Sequence, residues 1–253
     1  LKYLPDGLWS LVARYMPRRD REVNWADAGH LSETHKPQVG ELLLDVQDIR
    51  KQFGGLVAVN DIRFQINAGQ IVGLIGPNGA GKSTTFNLIT GVLPLTSGAV
   101  KFRGDTISGL PSREILRKGM ARTFQHVKMI PDMTVLENVA IGGYSRGHTG
   151  VLSGMLGTNH EEEKRLFKLA QQQLERVGIG HTMHEQAGNL AMGQQRLMEI
   201  ARALCADPAL LLLDEPAAGL RHKEKQALAD VLRQLQGEGV SILLVEHDMD
   251  LVM

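Results

Sequence analysis

The chain has 253 residues, 28 of them basic and 28 acidic, so its formal charge is zero. Binding that rests on a strong positive field, as in simple nucleic-acid or anionic-lipid binders, is therefore excluded. With 43% hydrophobic and 22% charged residues the composition is globular, enough for one large domain or two small ones, and wholesale disorder is ruled out.

The single cysteine, Cys205, can make no internal disulfide, and no run approaches the ~18 consecutive apolar residues of a spanning helix, which points to a soluble, cytosolic chain. At the N-terminal end, Leu4-Pro5-Asp6-Gly7-Leu8-Trp9 precedes Arg14, Arg18, Arg19 and Arg21, and residues 23–40 carry no sustained period. Residues 1–40 read as an extension and linker. Two accounts stand: a tag-like or disordered stretch, or a juxtamembrane tail with aromatic and proline residues at a bilayer and arginines on its cytosolic side. No apolar h-region follows these charges, so a secretory signal is not expected.

Beyond residue 40, residues 42–53 and 62–75 contain strand-like runs, the last of which, Ile71-Val72-Gly73-Leu74-Ile75, is apolar throughout, as in a strand covered on both faces. A glycine-rich turn and a helix over 83–90 follow. Pro111-Ser112 opens a short helix, and Thr134 with Glu137 makes a capping box for another. Asn159 with Glu161, Glu162 and Glu163 predicts the start of a helix whose apolar face is Leu166, Leu169, Ala170, Leu174 and Val177, and which Gly178 ends. Helical spacing recurs in Leu197, Ile200, Ala201 and Leu204, and in Leu228, Val231, Leu232 and Leu235. Buried strands are expected at 210–213 and 242–245. This alternation predicts an α/β fold with a mainly parallel sheet, ligands beyond the carboxyl ends of its strands, and a helix-rich lobe over about 112–204. The chain stops at Met253, directly after a strand and a His-bearing turn, and the expectation is a piece of a longer polypeptide.

The glycine turn carries the first chemical signal. Gly76-Pro77-Asn78-Gly79-Ala80-Gly81-Lys82-Ser83 fits G-x-x-x-x-G-K-[ST] and lies between an apolar strand and a helix, the context that this pattern needs. Glycines let successive backbone N–H groups turn inward around a phosphate, and the helix N-terminus adds partial positive charge. Lys82 would reach the β and γ phosphates, and the Ser83 hydroxyl would take a place on Mg²⁺. Such a pattern arises by accident in roughly one chain of this size in a hundred, so a turn without a ligand is the weaker account.

A second signal is Leu210-Leu211-Leu212-Leu213-Asp214-Glu215, in which four leucines bury a strand and two carboxylates emerge at its end. Alone, such a pair is usually a solvated strand end. Beside a phosphate loop, Asp214 suits a direct or water-mediated Mg²⁺ contact and Glu215 the group that polarises an attacking water. His247, after the next buried strand, is placed to touch the γ-phosphate, although a lone histidine there is more often a surface residue.

Asn189-Leu190-Ala191-Met192-Gly193-Gln194-Gln195-Arg196 resembles the signature motif of ATP-binding cassette (ABC) proteins, Thr123-Phe124-Gln125 resembles their Q-loop, and His247 falls where their switch histidine belongs. The resemblance covers residues 42–253. Phe53-Gly54-Gly55-Leu56-Val57-Ala58-Val59, Arg122-Thr123-Phe124-Gln125-His126-Val127 and Asp214-Glu215-Pro216-Ala217-Ala218-Gly219-Leu220 look most like the ATP-binding subunits of high-affinity branched-chain amino acid importers. Residues 1–22 are similar, without a motif of their own, to the cytosolic end of the matching permease, as though permease and ATPase were fused.

The resemblance implies a P-loop ATPase core with a mainly parallel sheet, an antiparallel N-terminal β subdomain and a helical subdomain over about 112–204, all within a C-terminally truncated domain over 41–253. It implies ATP held by Phe53, Gly76, Asn78, Gly79, Ala80, Gly81, Lys82, Ser83 and Thr84, with Phe53 stacked on adenine. Phe53 as an ordinary core residue is the competing account. Mg²⁺ would be held by Ser83, Gln125 and Asp214, and catalysis would fall to Glu215, His247, Lys82 and Gln125. Leu190, Ala191, Met192, Gly193 and Gln194 would act in trans on the nucleotide of a second ABC ATPase subunit, identical or not. The loop 126–133 would face membrane permease subunits, which an external substrate-binding protein supplies. No nucleic-acid partner is implied, and the location is the cytoplasmic face of the inner membrane.

Departures are Ala191 and Met192, where serine and glycine are commonest, and Arg221, where aspartate or asparagine is usual. One lost hydroxyl contact costs about 0.5 to 1.5 kcal/mol, which suggests slower turnover. Rival functions are an importer ATPase for urea or short amides, a soluble ABC machine acting on nucleic acid, and a P-loop kinase or GTPase. Single loop and zero charge disfavour the nucleic-acid machine, and the signature segment disfavours the kinase.

Overall fold

A computed structural model describes Trp25 and residues 28–29, 36–123, 128–146 and 160–246. Gln125, His247, Asn159 and most of the 1–40 segment lie outside the described residues.

Strands β1 (Leu42–Phe53) and β2 (Leu56–Asn67) form a long antiparallel hairpin that turns at Gly54 and Gly55. They continue through β4 (Ser97–Phe102) and β5 (Asp105–Thr106) into an antiparallel sheet of order β2-β1-β4-β5. The strand expected at 71–75 is β3 (Ile71–Ile75), which a turn at 68–70 separates from β2, and Gly69 there takes φ +79; β2 itself starts at Leu56, earlier than the run expected from 62.

A second, parallel sheet has the order β3-β8-β7-β6, with β6 (Met120–Arg122), β7 (Leu210–Asp214) and β8 (Ser241–Glu246). Its central strands are covered on both faces. Leu211, Leu213, Ile242 and Leu244 pack into one apolar cluster, whereas Leu210, Leu212, Leu243 and Val245 pack into the other. Alternation along a strand sends neighbouring side chains to opposite faces, so a continuous apolar run is what a doubly covered strand requires.

Helices α1 (Lys82–Ile89), α2 (Ser112–Arg117), α3 (Val135–Ala140), α4 (His160–Arg176), α5 (Met192–Leu204) and α6 (His222–Gly237) account for the helical periods. The α3 cap is as expected: the Glu137 amide donates to Thr134 Oγ1 at 3.2 Å and the Thr134 amide to Glu137 Oε2 at 2.7 Å. Leu166, Ala170 and Leu174 of α4 are buried, and Gly178 follows in the left-handed region at φ +82. Leu169, Leu197 and Val231 are only half-buried, at the flanks of their faces. The stretch expected to be helix-rich contains one strand, β6, pairing in parallel with β7. Three residues are too few to show a period of two.

Within the segment read as a linker, Trp25 is anchored on α4: its indole N–H donates to Gln171 Oε1 at 2.6 Å and its ring lies 5.7 Å from that of Phe167. Lys168 Nζ donates to the Ala28 carbonyl at 2.6 Å. Cys205 is buried, and burial pushes its thiol up to about 12, leaving it unreactive. Among the described residues no helix is long and apolar enough to cross a membrane.

Leu213 is fully buried at the centre of the parallel sheet. Leu213→Ala is expected to lower unfolding free energy by about 2 to 5 kcal/mol in urea titrations. A loss below about 1 kcal/mol would show that this strand is not covered as described.

Candidate active site

The parallel pairing brings three chain ends to one edge. Ile75 lies opposite Glu246 and Asp214 opposite Val245, so the loop after β3, the carboxylates after β7 and the end of β8 share the carboxyl side of the sheet. The loop over 76–81 then turns into α1. Gly79 and Gly81 both take φ +85, a region that side-chain-bearing residues rarely occupy. A Cβ at Gly81 would also stand 2.5 Å from the Ala58 carbonyl oxygen of β2, so only glycine fits there.

Lys82 is buried and its ammonium folds over the loop, donating to the carbonyls of Gly76 at 2.7 Å and Pro77 at 3.0 Å. Asn78, Ala80 and Ser83 are exposed, and Gly76 and Thr84 are half-buried. The loop thus presents backbone amides, one ammonium and one hydroxyl at a helix N-terminus, a set suited to a polyphosphate.

Asp214 is 2% exposed, and Arg122 Nη2 donates to its Oδ2 at 2.8 Å. Asp214 Oδ1 is buried and has no hydrogen-bond partner among the described residues. An acceptor-only oxygen in that state fits a cation or its bound water. Among the described residues no cluster of three or more His, Cys, Asp or Glu could hold a metal alone. Mg²⁺ is usually bound through one or two carboxylates together with substrate phosphates and water, so Asp214 Oδ1 is a donor of a type it accepts. Glu215 is half-buried, with φ +49, and its amide donates to the Val245 carbonyl at 3.0 Å. Glu246 clamps the turn that follows, its Oε1 accepting from the Ala217 amide at 2.9 Å.

Phe53 is 46% exposed at the tip of the β1–β2 hairpin, with Lys51 Nζ 5.0 Å from its ring centre, so it is not a core residue. The signature-like segment sits elsewhere: no hydrogen bond or ion pair among the described residues joins 190–194 to 76–84. Leu190 is buried in the core, Ala191 caps α5, Met192 is 54% exposed, Gly193 is buried and Gln194 is half-buried. Ala191 has no oxygen to offer the first-turn amides, while Gln194 Oε1 accepts its N–H at 3.2 Å.

Gly219 and the start of α6 lie close to the signature-like segment, a juxtaposition that the sequence does not reveal. A Cβ at Gly219 would stand 2.8 Å from Met192 Sδ. One at Gly193 would stand 3.0 Å from Glu224 Oε1, and Glu224 Oε2 accepts the Arg221 N–H at 2.8 Å. Two polar groups have roles that no sequence pattern signals, Arg122 and Glu199. Glu199, 3% exposed on α5, accepts the Lys128 amide at 3.0 Å and faces Arg196 at 3.3 Å, and burial holds its carboxyl above the usual range.

A sequence model of the ABC transporter family matches residues 59–218. The chain belongs to the ABC transporter family. It is 44% identical over 214 residues to the high-affinity branched-chain amino acid transport ATP-binding protein LivG of Escherichia coli K12, covering 83% of this chain and 84% of that one. It is 36% identical to a probable branched-chain amino acid transport ATP-binding protein of Archaeoglobus fulgidus, covering 83% and 82%. Among solved structures, a nucleotide-free ATP-binding cassette from an ABC transporter aligns with TM-score 0.74 at 33% identity over 83% of each chain. The cassette is accordingly an ATP-binding protein of the P-loop type, an α/β fold of one parallel and one antiparallel sheet.

Within the chain, Lys82 Nζ bonds two loop carbonyls, so its removal should spare the fold. Lys82→Ala is expected to weaken ATP binding about ten- to hundredfold, the loss of one charged hydrogen-bonding group, as measured by fluorescence titration. Unchanged affinity would count against the assignment of the phosphate loop.

Proposed function

We propose that this chain is the ATP-binding and ATP-hydrolysing subunit that powers import of branched-chain amino acids across the cytoplasmic membrane. The observation that carries the chemistry is the loop over 76–84 standing beside a buried carboxylate whose Oδ1 lacks a partner among the described residues. The cargo rests on the named activity of the relatives, two of which are branched-chain amino acid transport proteins from a bacterium and an archaeon.

In this account the amides of 78–84 and the Lys82 ammonium grip the phosphates, and the exposed Phe53 ring supports adenine. Ser83, Asp214 and Gln125 would hold Mg²⁺, which neutralises charge on the transferring phosphoryl group. Glu215 accepts a proton from the attacking water, and His247 steadies the γ-phosphate. Positioning and electrostatics supply most of the barrier reduction in such transfers.

One chain lacks half of each site. A second ABC ATPase subunit would bring its own 190–194 segment, whose first-turn amides at the start of α5 lack a side-chain oxygen from Ala191, to the γ-phosphate held here. Closure of the two subunits would then be transmitted to membrane permease subunits, which an external substrate-binding protein loads. The working place is the cytoplasmic face of the membrane, and no nucleic acid takes part.

Glu215→Gln keeps size and hydrogen bonding while removing the base. It is expected to retain ATP, accumulate a closed dimer in light scattering, and release phosphate about 10²- to 10⁴-fold more slowly. Hydrolysis at the wild-type rate would show that Glu215 is not the base.

A further inference from the structure

We propose that Arg122 is a positioning residue of the phosphate site, which fixes the carboxylate of Asp214 relative to the phosphate-loop helix so that Oδ1 is kept for the metal side. The inference rests on the ATPase reading above.

Arg122 lies on β6 with 12% of its side chain exposed, against 2% for Asp214. Its two terminal nitrogens go to different elements. Nη2 donates to Asp214 Oδ2 of β7 at 2.8 Å; Nη1 donates to Asn87 Oδ1 of α1 at 2.6 Å and reaches Thr90 Oγ1, at the end of the same helix, at 3.3 Å. The guanidinium also lies over the ring of Phe86, 5.7 Å from its centre. Thr90 Oγ1 is itself directed by donation to the Phe86 carbonyl at 2.7 Å, which leaves a lone pair for Arg122.

A guanidinium is planar, so its nitrogens cannot be re-aimed independently. Asn87, Phe86 and Thr90 follow directly on the helix that begins with Lys82 and Ser83. One rigid plane therefore sets the distance between the helix that carries the phosphate grip and the carboxylate that would meet the metal. It also sets which oxygen is engaged. With Oδ2 committed to Arg122, the remaining acceptor capacity of Asp214 sits on Oδ1, which has no partner among the described residues.

A purely stabilising role explains less. A buried ion pair contributes little net stability compared with well-packed apolar residues, because desolvation offsets attraction. Such a pair spanning β6, β7 and α1 at the phosphate edge is accounted for by orientation. Thr123, the residue after β6, donates its amide to the Leu212 carbonyl at 2.9 Å, so the pairing with β7 extends one residue past Arg122 and fixes the backbone that carries the guanidinium.

The test uses the full chain and two mild variants. Arg122→Lys keeps the charge but has a single ammonium that cannot serve both α1 and Asp214. Asn87→Ala leaves the Arg122–Asp214 pair and removes the shorter of the two contacts that Nη1 makes to α1, 2.6 Å against 3.3 Å to Thr90. Mn²⁺ is titrated into the protein–ATP complex and read by the electron paramagnetic resonance of the free ion, ATP affinity is measured in EDTA, and steady-state kinetics separate kcat from KM.

Both variants are expected to bind Mn²⁺ at least tenfold more weakly in the ATP complex, with ATP affinity in EDTA within threefold of wild type and kcat falling more than KM rises. Wild-type Mn²⁺ affinity in both variants overturns the inference, even if their melting temperatures fall, since the pair would then be structural only. A wild-type protein that takes up no ATP, with or without Mn²⁺, overturns the ATPase reading and this inference with it.

Discussion

The parallel register that sets Ile75 beside Glu246 and Asp214 beside Val245 puts the phosphate loop and the buried carboxylates on one edge of the sheet. Strand side chains alternate, so a slip of one residue would exchange the two apolar faces of the leucine strand and turn its terminal carboxylate away. Leucine would replace leucine in either core, so what opposes that slip is the charged end of the strand: Asp214 would lose the Arg122 donor and be left buried without it. Function here is an edge property of an apolar scaffold.

The edge itself is governed by buried charge. Asp214, Glu246 and Glu199 are each no more than 3% exposed, and each has a fixed donor: the Arg122 guanidinium, the Ala217 amide and the Lys128 amide. These donors are not scattered. Ala217 lies in the turn after Glu215, Lys128 directly follows the Gln125 segment, and Arg122 precedes it. Carboxylates that are expensive to leave without partners thus tie down the turn after Glu215, the backbone at Lys128 and the Arg122 guanidinium. Separately, Met192 on Gly219 and Glu224 against Gly193 join the signature-like helix to the turn that follows Glu215.

Much of this was legible in the residues. The loop over 76–84 announces itself because its glycines answer a backbone demand, seen at Gly81, where a Cβ would stand 2.5 Å from a carbonyl oxygen. The helices read well because Leu166, Ala170 and Leu174 follow the helical period over many turns. Strand β6 was hidden, since three residues carry no period and their burial comes from a partner ninety positions away. The task of Arg122 is hidden for the same reason: a guanidinium shared by α1 and β7 is a tertiary fact. Phe53 was open between core and surface, and its exposure follows from its place at a hairpin tip.

What holds the account together is a polyphosphate gripped by main-chain amides. Amide hydrogen exchange with and without MgATP reads those groups directly. The account predicts slowed exchange over 76–84 on addition of MgATP, and slowed exchange over 190–194 only at concentrations where two subunits associate. MgATP that binds without slowing any amide in 76–84 would contradict it.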